Sequence, residues 1–156
     1  MVVRNDLTNK EIENKIKIYC SYQDRCHKDV VLKLKDFNID NKGKNEIISN
    51  LIKENYLNES RFCKSFARGK FRIKNWGRIK IKNELKLRDI SSYNISLALK
   101  EIDDKDYIEK LDSIFKKKLS SLGNINVNIK RKKIFSFLKY RGWENNLILE
   151  KINEIH

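Results

Sequence analysis

The sequence predicts an all-α fold: three tandem three-helix repeats forming an elongated, curved helical array. Three observations carry that expectation. The 156 residues hold no proline and only five glycines, the two residues that helix interiors tolerate least. Apolar residues recur at three- and four-residue spacing along most of the chain. A short pattern recurs three times, as LKDFNI at 34–39, LKLRDI at 85–90 and LKYRGW at 138–143. The intervals of 51 and 53 residues suit a repeated helical unit. The repeats are assigned to residues 1–57, 58–103 and 104–156.

In the first repeat, Ile12, Ile16 and Tyr19 fall on one helical face, behind a Thr8–Glu11 capping-box pattern. HKDVVLKLK gives a basic amphipathic second helix and NEIISNLIKENYL an apolar third. The inserted stretch DNKGK at 40–44 reads as a solvent loop. In the second repeat, Asn58 is a candidate N-cap, and Phe62, Phe66 and Ile73 share a face, with small Gly69 between them. GRIKIKNELK follows, with Ile81 and Leu85 inward, and then YNISLALKEI. In the third repeat, Asp104 is the candidate cap of a helix carrying Tyr107, Leu111, Ile114, Phe115 and Leu119. Asn126 caps IKRKKIFSFLK, and NNLILEKINEI closes the chain. NINVNI at 124–129 alternates, but it is too short and unpaired to make a sheet. A repeat of this size buries little apolar surface alone, so neighbouring repeats share core.

Charge separates the repeats. The formal net charge of +14 divides into +2, +7 and +5. From Arg61 to Arg88 eleven bases face a single acid, Glu84. Arg61, Lys64, Arg68 and Arg72 form one stripe of the first helix, and Arg78, Lys82 and Lys86 form a row on the next. Lys70 and Lys74 lie on the same segment, and Lys130, Arg131, Lys132 and Lys133 make a second cluster. Solvated faces ordinarily mix signs. A one-sign face points instead to a polyanionic partner. Trp76–Gly77 and Gly142–Trp143 mark corresponding turns in the second and third repeats. Each tryptophan reads either as a wedge between helices or as an exposed stacking surface.

The remaining features exclude more than they assign. Cys20, Cys26 and Cys63 show no C-x-x-C spacing, so neither a disulfide framework nor a zinc site is expected. His27 and His156 have no triad or metal-ligand companion, and no glycine-rich phosphate loop is present. DDKD at 103–106 reads as a helix cap rather than a metal cluster. No cofactor and no catalytic activity are expected. No apolar run approaches the roughly 20 residues of a membrane span, and MVVRNDLTNKE lacks the apolar core of a signal peptide. A cytoplasmic monomer without membrane contact is expected.

The segment SRFCKSFARGKFRIKNWGRIKIKNELKLRDIS resembles the signature of the RecX family of recombinase regulators. Arg61-Phe62, Ala67-Arg68, Trp76-Gly77, Arg78 to Lys82, Glu84-Leu85 and Ile90 occur in the family's order. RKKIFSFLKYRGWENNLIL is similar to the family's third repeat, through Leu138, Arg141-Gly142 and Trp143. Asn75 stands where family members usually have Gly, and Arg78 where Pro is common. The resemblance implies three three-helix repeats lying along the groove of a RecA filament on single- or double-stranded DNA. It also implies inhibition of RecA's ATPase, strand exchange and coprotease activity. The alternative reading from charge alone is a helical DNA- or RNA-binding protein that acts without RecA.

Overall fold

The computed structural model describes residues 6–156, so the first five residues of the expected first repeat lie outside it. The described residues are helical throughout, with no strand. The helices are α1 (Asn9–Tyr22), α2 (His27–Leu34), α3 (Asn41–Lys53), α4 (Glu59–Lys74), α5 (Arg78–Leu87), α6 (Ser92–Leu99), α7 (Asp104–Ser121), α8 (Val127–Tyr140) and α9 (Asn145–Ile152). The main helix-to-helix packing falls inside the triplets α1–α3, α4–α6 and α7–α9.

Local signals set most of the helix starts. Glu11 N–H donates to Thr8 Oγ1 (3.2 Å) and Thr8 N–H donates to Glu11 Oε2 (2.9 Å), closing the predicted capping box. Asn58 accepts from Arg61 N–H (2.9 Å), Ser91 from Asn94 N–H (3.2 Å) and Asn126 from Asn128 N–H (2.8 Å). α4 ends at Asn75 in the left-handed conformation, φ 59°. Asparagine is among the few side chains that accept this conformation, so the helix can stop there without glycine.

Four expectations change. DNKGK is not a solvent loop but the start of α3. Asp40 caps it by accepting from Gly43 N–H at 2.8 Å, and a Cβ at Gly43 would lie 2.7 Å from Ile39 Cγ1. Ile73 is not inward but 77 % exposed. The covered face of α4 swings from Phe62 near its start to Phe71 near its end, where Phe71 stacks on Tyr107 at 6.0 Å. The last turn therefore leaves Ile73 on an open flank. Gly69 is not a packing glycine, since an added Cβ would meet nothing within 4 Å. The N-cap of α7 is Asp103, one residue before Asp104.

Two apolar clusters hold the chain. One belongs to the first triplet alone: Ile12, Ile16, Cys20, Val30, Leu34, Ile47, Ile48, Leu51 and Leu57. The other runs unbroken through the second and third triplets, from Phe62 and Ala67 through Tyr107 and Leu111 to Trp143 and Ile148. Cys26, at the start of α2, is packed into this larger cluster and so pins the first triplet to the second. All three cysteines are free and buried.

Candidate nucleic-acid interface

The cations of α4 and α5 are positioned by the apolar half of the same helices. With Phe62, Cys63, Ala67, Phe71, Ile81 and Leu85 buried, the opposite side of each helix must face outward. The cations on it have three different fates.

Three of the predicted contact residues are bound within the molecule. Arg61 pairs with Asp24 of the first triplet (Nε to Oδ1, 2.8 Å) and donates to the carbonyls of Asn55 and Tyr56. Arg68 pairs with Glu101 at 3.1 Å. Arg78 donates to Asp104 Oδ1 (2.7 Å) and to the Ile102 carbonyl (3.0 Å), and its guanidinium lies 4.1 Å from the centre of the Tyr107 ring. All three are half-exposed yet paired, so the predicted stripe is not a row of free cations. The acids that meet them come from distant parts of the chain, which helical spacing cannot reveal.

Lys70 and Lys80 are held over aromatic rings. Lys70 Nζ stands 5.0 Å from the Trp76 ring and 5.4 Å from Phe66; Lys80 Nζ stands 4.7 Å from Trp76 and 4.2 Å from Tyr140. Lys64, Arg72, Lys74, Lys82 and Lys86 remain, with no acidic partner within 4 Å among the described residues. Arg72, Lys74, Lys82 and Lys86 are exposed, while Lys64 is half-buried.

The second predicted cluster divides too. Lys132 and Lys133 are exposed on α8, and Lys130 is half-buried. Arg131 turns inward, donating to the Ile155 carbonyl at 2.8 Å, with its Nε buried and without a partner.

The two predicted turns meet each other. Gly77 N–H donates to the Arg141 carbonyl (2.8 Å), and Ile79 N–H donates to the Gly142 carbonyl (3.1 Å). A Cβ on Gly77 would collide with the Gly142 carbonyl, and one on Gly142 with Lys80. Trp143 is fully buried; its ring stacks on Tyr107 at 4.3 Å and its Nε1–H donates to the Asn75 carbonyl (3.1 Å). Trp76 is half-buried against Phe66. The Tyr107 hydroxyl donates to the Glu144 carboxylate and accepts from Arg78 N–H (3.0 Å). Burial, reinforced by Glu144, pushes that phenol well above its ordinary range, so it stays protonated as the donor.

Sequence reading missed three cations that join the predicted ones. Lys118 of α7 lines an open hollow of about 510 Å³ with Lys132, Lys133 and Arg141, and Lys117 lines a smaller one of about 270 Å³ beside it with Lys74. Phe137 forms a shared wall, with Arg141 3.8 Å and Lys118 5.1 Å from its ring centre. The spacing Lys133–Phe137–Arg141 was visible as one helical row. The opposing lysines come from another helix, so the concavity was not.

Comparison with known proteins agrees with the helical fold. A family model described as RecX, second three-helix domain, matches residues 58–99. The chain is similar to the regulatory protein RecX of Lactobacillus gasseri, 25 % identical over 138 residues, covering 86 % of this chain and 51 % of that protein. It is similar to the protein of that name from Streptococcus agalactiae serotype III, 27 % identical over 145 residues, covering 88 % and 55 %. The chain thus spans about half the length of these curated relatives. The crystal structure of RecX from Lactobacillus salivarius superposes with a TM-score of 0.80 at 27 % identity, covering 94 % of this chain and 95 % of that one. A second crystal structure of a regulatory protein RecX, 19 % identical with a TM-score of 0.82, shares the fold; it covers 94 % of this chain and 73 % of that one.

Proposed function

The chain belongs to the RecX family, and from that premise we propose that it binds the RecA–DNA filament and restrains it. Binding lowers RecA's ATPase, strand exchange and coprotease activity, and the protein acts as a cytoplasmic monomer without chemistry of its own. One observation supports this most: Arg72, Lys82 and Lys86 are exposed and free of acidic partners, on helices whose other sides are buried. A filament offers both DNA phosphate and acidic protein surface to such a face. Phosphate contact makes the interaction salt-dependent, since each neutralised phosphate releases counterions.

The test is RecA's DNA-dependent ATPase, measured with and without this protein at low salt. The rate is expected to fall with added protein. Lys82→Glu with Lys86→Glu should raise the concentration needed by on the order of tenfold, with the melting temperature nearly unchanged. An unaltered ATPase at a several-fold excess over filament sites overturns the proposal.

A further inference from the structure

We propose that the groove between the α1–α2 connection and the outer flank of α4 is a docking site for an acidic peptide segment of a partner protein, one that carries an apolar side chain among its carboxylates. The groove encloses about 500 Å³. That is the size of pocket that takes a small ligand, so it holds a few side chains rather than a folded domain. Its floor is apolar and bare. Phe66 is half-buried, Ile73 is 77 % exposed, and Gly69 lies one turn from each on the same face of α4. Glycine is among the poorest helix formers, and inside a helix it ordinarily permits close packing. Yet a Cβ at Gly69 would meet nothing of this chain within 4 Å. What the glycine leaves is uncovered helix backbone between two apolar side chains, where a second chain can approach closely.

Cations rim this floor. Lys70 stands 5.4 Å and Arg88 5.1 Å from the centre of the Phe66 ring, and Lys74 is exposed beside them. None of the three has an acidic partner within 4 Å among the described residues. Arg88 Nε is also buried without a hydrogen-bond partner, and a carboxylate beside that guanidinium offsets the cost of an unmet donor. The groove's own acids are already engaged. Asp24 pairs with Arg61 (2.8 Å), and Asp29 accepts from Cys26 N–H (3.0 Å). Positive charge around an apolar floor is complementary to an acidic, partly apolar segment. A nucleic-acid strand fits less well: Ile73 gives bases no ring to stack on, and Asp24 and Asp29 on the first-triplet wall repel a continuous run of phosphates.

The experiment is fluorescence anisotropy of a short labelled peptide of leucine, aspartate and glutamate, titrated with the full chain at low salt. Wild type should bind it. The same peptide with serine in place of leucine should bind on the order of tenfold more weakly, the factor that burying a leucine confers. A peptide with lysine in place of the acids should not bind. Gly69→Glu fills the floor and sets a carboxylate among the cations, and should weaken binding by on the order of tenfold. Ile73→Ser should weaken it several-fold. Neither should lower the melting temperature, because Gly69 faces open space and Ile73 is exposed. Lys82→Glu with Lys86→Glu, which tests the filament-facing row, should leave peptide binding within about twofold, so the two proposals can fail separately. No binding by wild type, equal binding of the serine peptide, unaltered binding by Gly69→Glu, or displacement of the peptide by less oligo(dT) than unlabelled peptide would each overturn this one.

Discussion

The first triplet is joined to the second by side chains, whereas the second is joined to the third by backbone. At the first joint, Arg61 meets Asp24, His27 N–H donates to Glu59 (3.2 Å), and Lys28 reaches the Leu87 carbonyl (3.0 Å) and Asp89. At the second, the Gly77 turn donates two main-chain hydrogen bonds to the Gly142 turn, and Phe71 of the second triplet stacks on Tyr107 of the third inside a common core. The first joint is partly hydrated and ionic, so its strength depends on salt. The second also carries an exposed ion pair, Arg78 with Asp104, but its centre is dry and steric, so its strength depends mainly on there being no Cβ in the way. The third triplet therefore holds a fixed position on the second, while the first can yield only by drawing Cys26 out of the shared core.

The largest expected effect comes from Gly142→Ala. The new Cβ collides with Lys80, and the residue sits at φ 83°, where a side chain is strained. Overpacking and left-handed strain together should destabilise on the order of 3 kcal/mol. Amide hydrogen exchange should show protection falling across α4–α9 while the core of α1–α3 keeps its own. A uniform loss along the chain would mean that the two clusters do not unfold separately. Gly77→Ala should act in the same direction by steric clash alone, because its φ is an ordinary −78°.

A smaller effect is expected at the first joint. Asp24→Ala removes the carboxylate from an Arg61 that is one-third exposed and keeps its two carbonyl acceptors. The loss should be about 1 kcal/mol, and it should shrink as salt rises. Thermal melts of both proteins at low and high ionic strength check this. A loss as large as that of Gly142→Ala, or one indifferent to salt, would erase the distinction between the joints.

The same contrast explains what the sequence could disclose. Helix placement was legible, because caps such as Thr8 and Asn58 and rows such as Tyr107–Leu111–Phe115 are local. The two tryptophan–glycine turns were visible as corresponding positions, but not that Gly77 and Gly142 touch, since 65 residues separate them. Ile73 failed because helical phase says which residues share a face, not how far a neighbour extends along it. The cation rows were legible as rows. Which cations stay free was not, because Asp24, Glu101 and Asp104 come from other helices or loops to meet Arg61, Arg68 and Arg78. The hollow beside Phe137 was hidden for the same reason, as its two walls are separate helices.

The smallest effect, and the most local reading of the joints, lies in the cysteines. Cys26 belongs to the first triplet by sequence and to the second by packing, whereas Cys20 lies in the first triplet's own core. Burial pushes the Cys26 thiol up to about 11 and the Cys63 thiol up to about 12, from an ordinary 9.0. Folding thus holds these protons on. The stability they contribute is complete below 9 and is lost as pH rises through about 11 to 12. At neutral pH neither is a thiolate, so alkylation by iodoacetamide has to wait for opening. Asp24→Ala should therefore speed labelling of Cys26 several-fold while leaving Cys20 close to its wild-type rate. Peptide mass spectrometry after timed alkylation distinguishes the sites. Equal acceleration at both cysteines would show that the first triplet opens as a whole rather than hinging at its ionic joint.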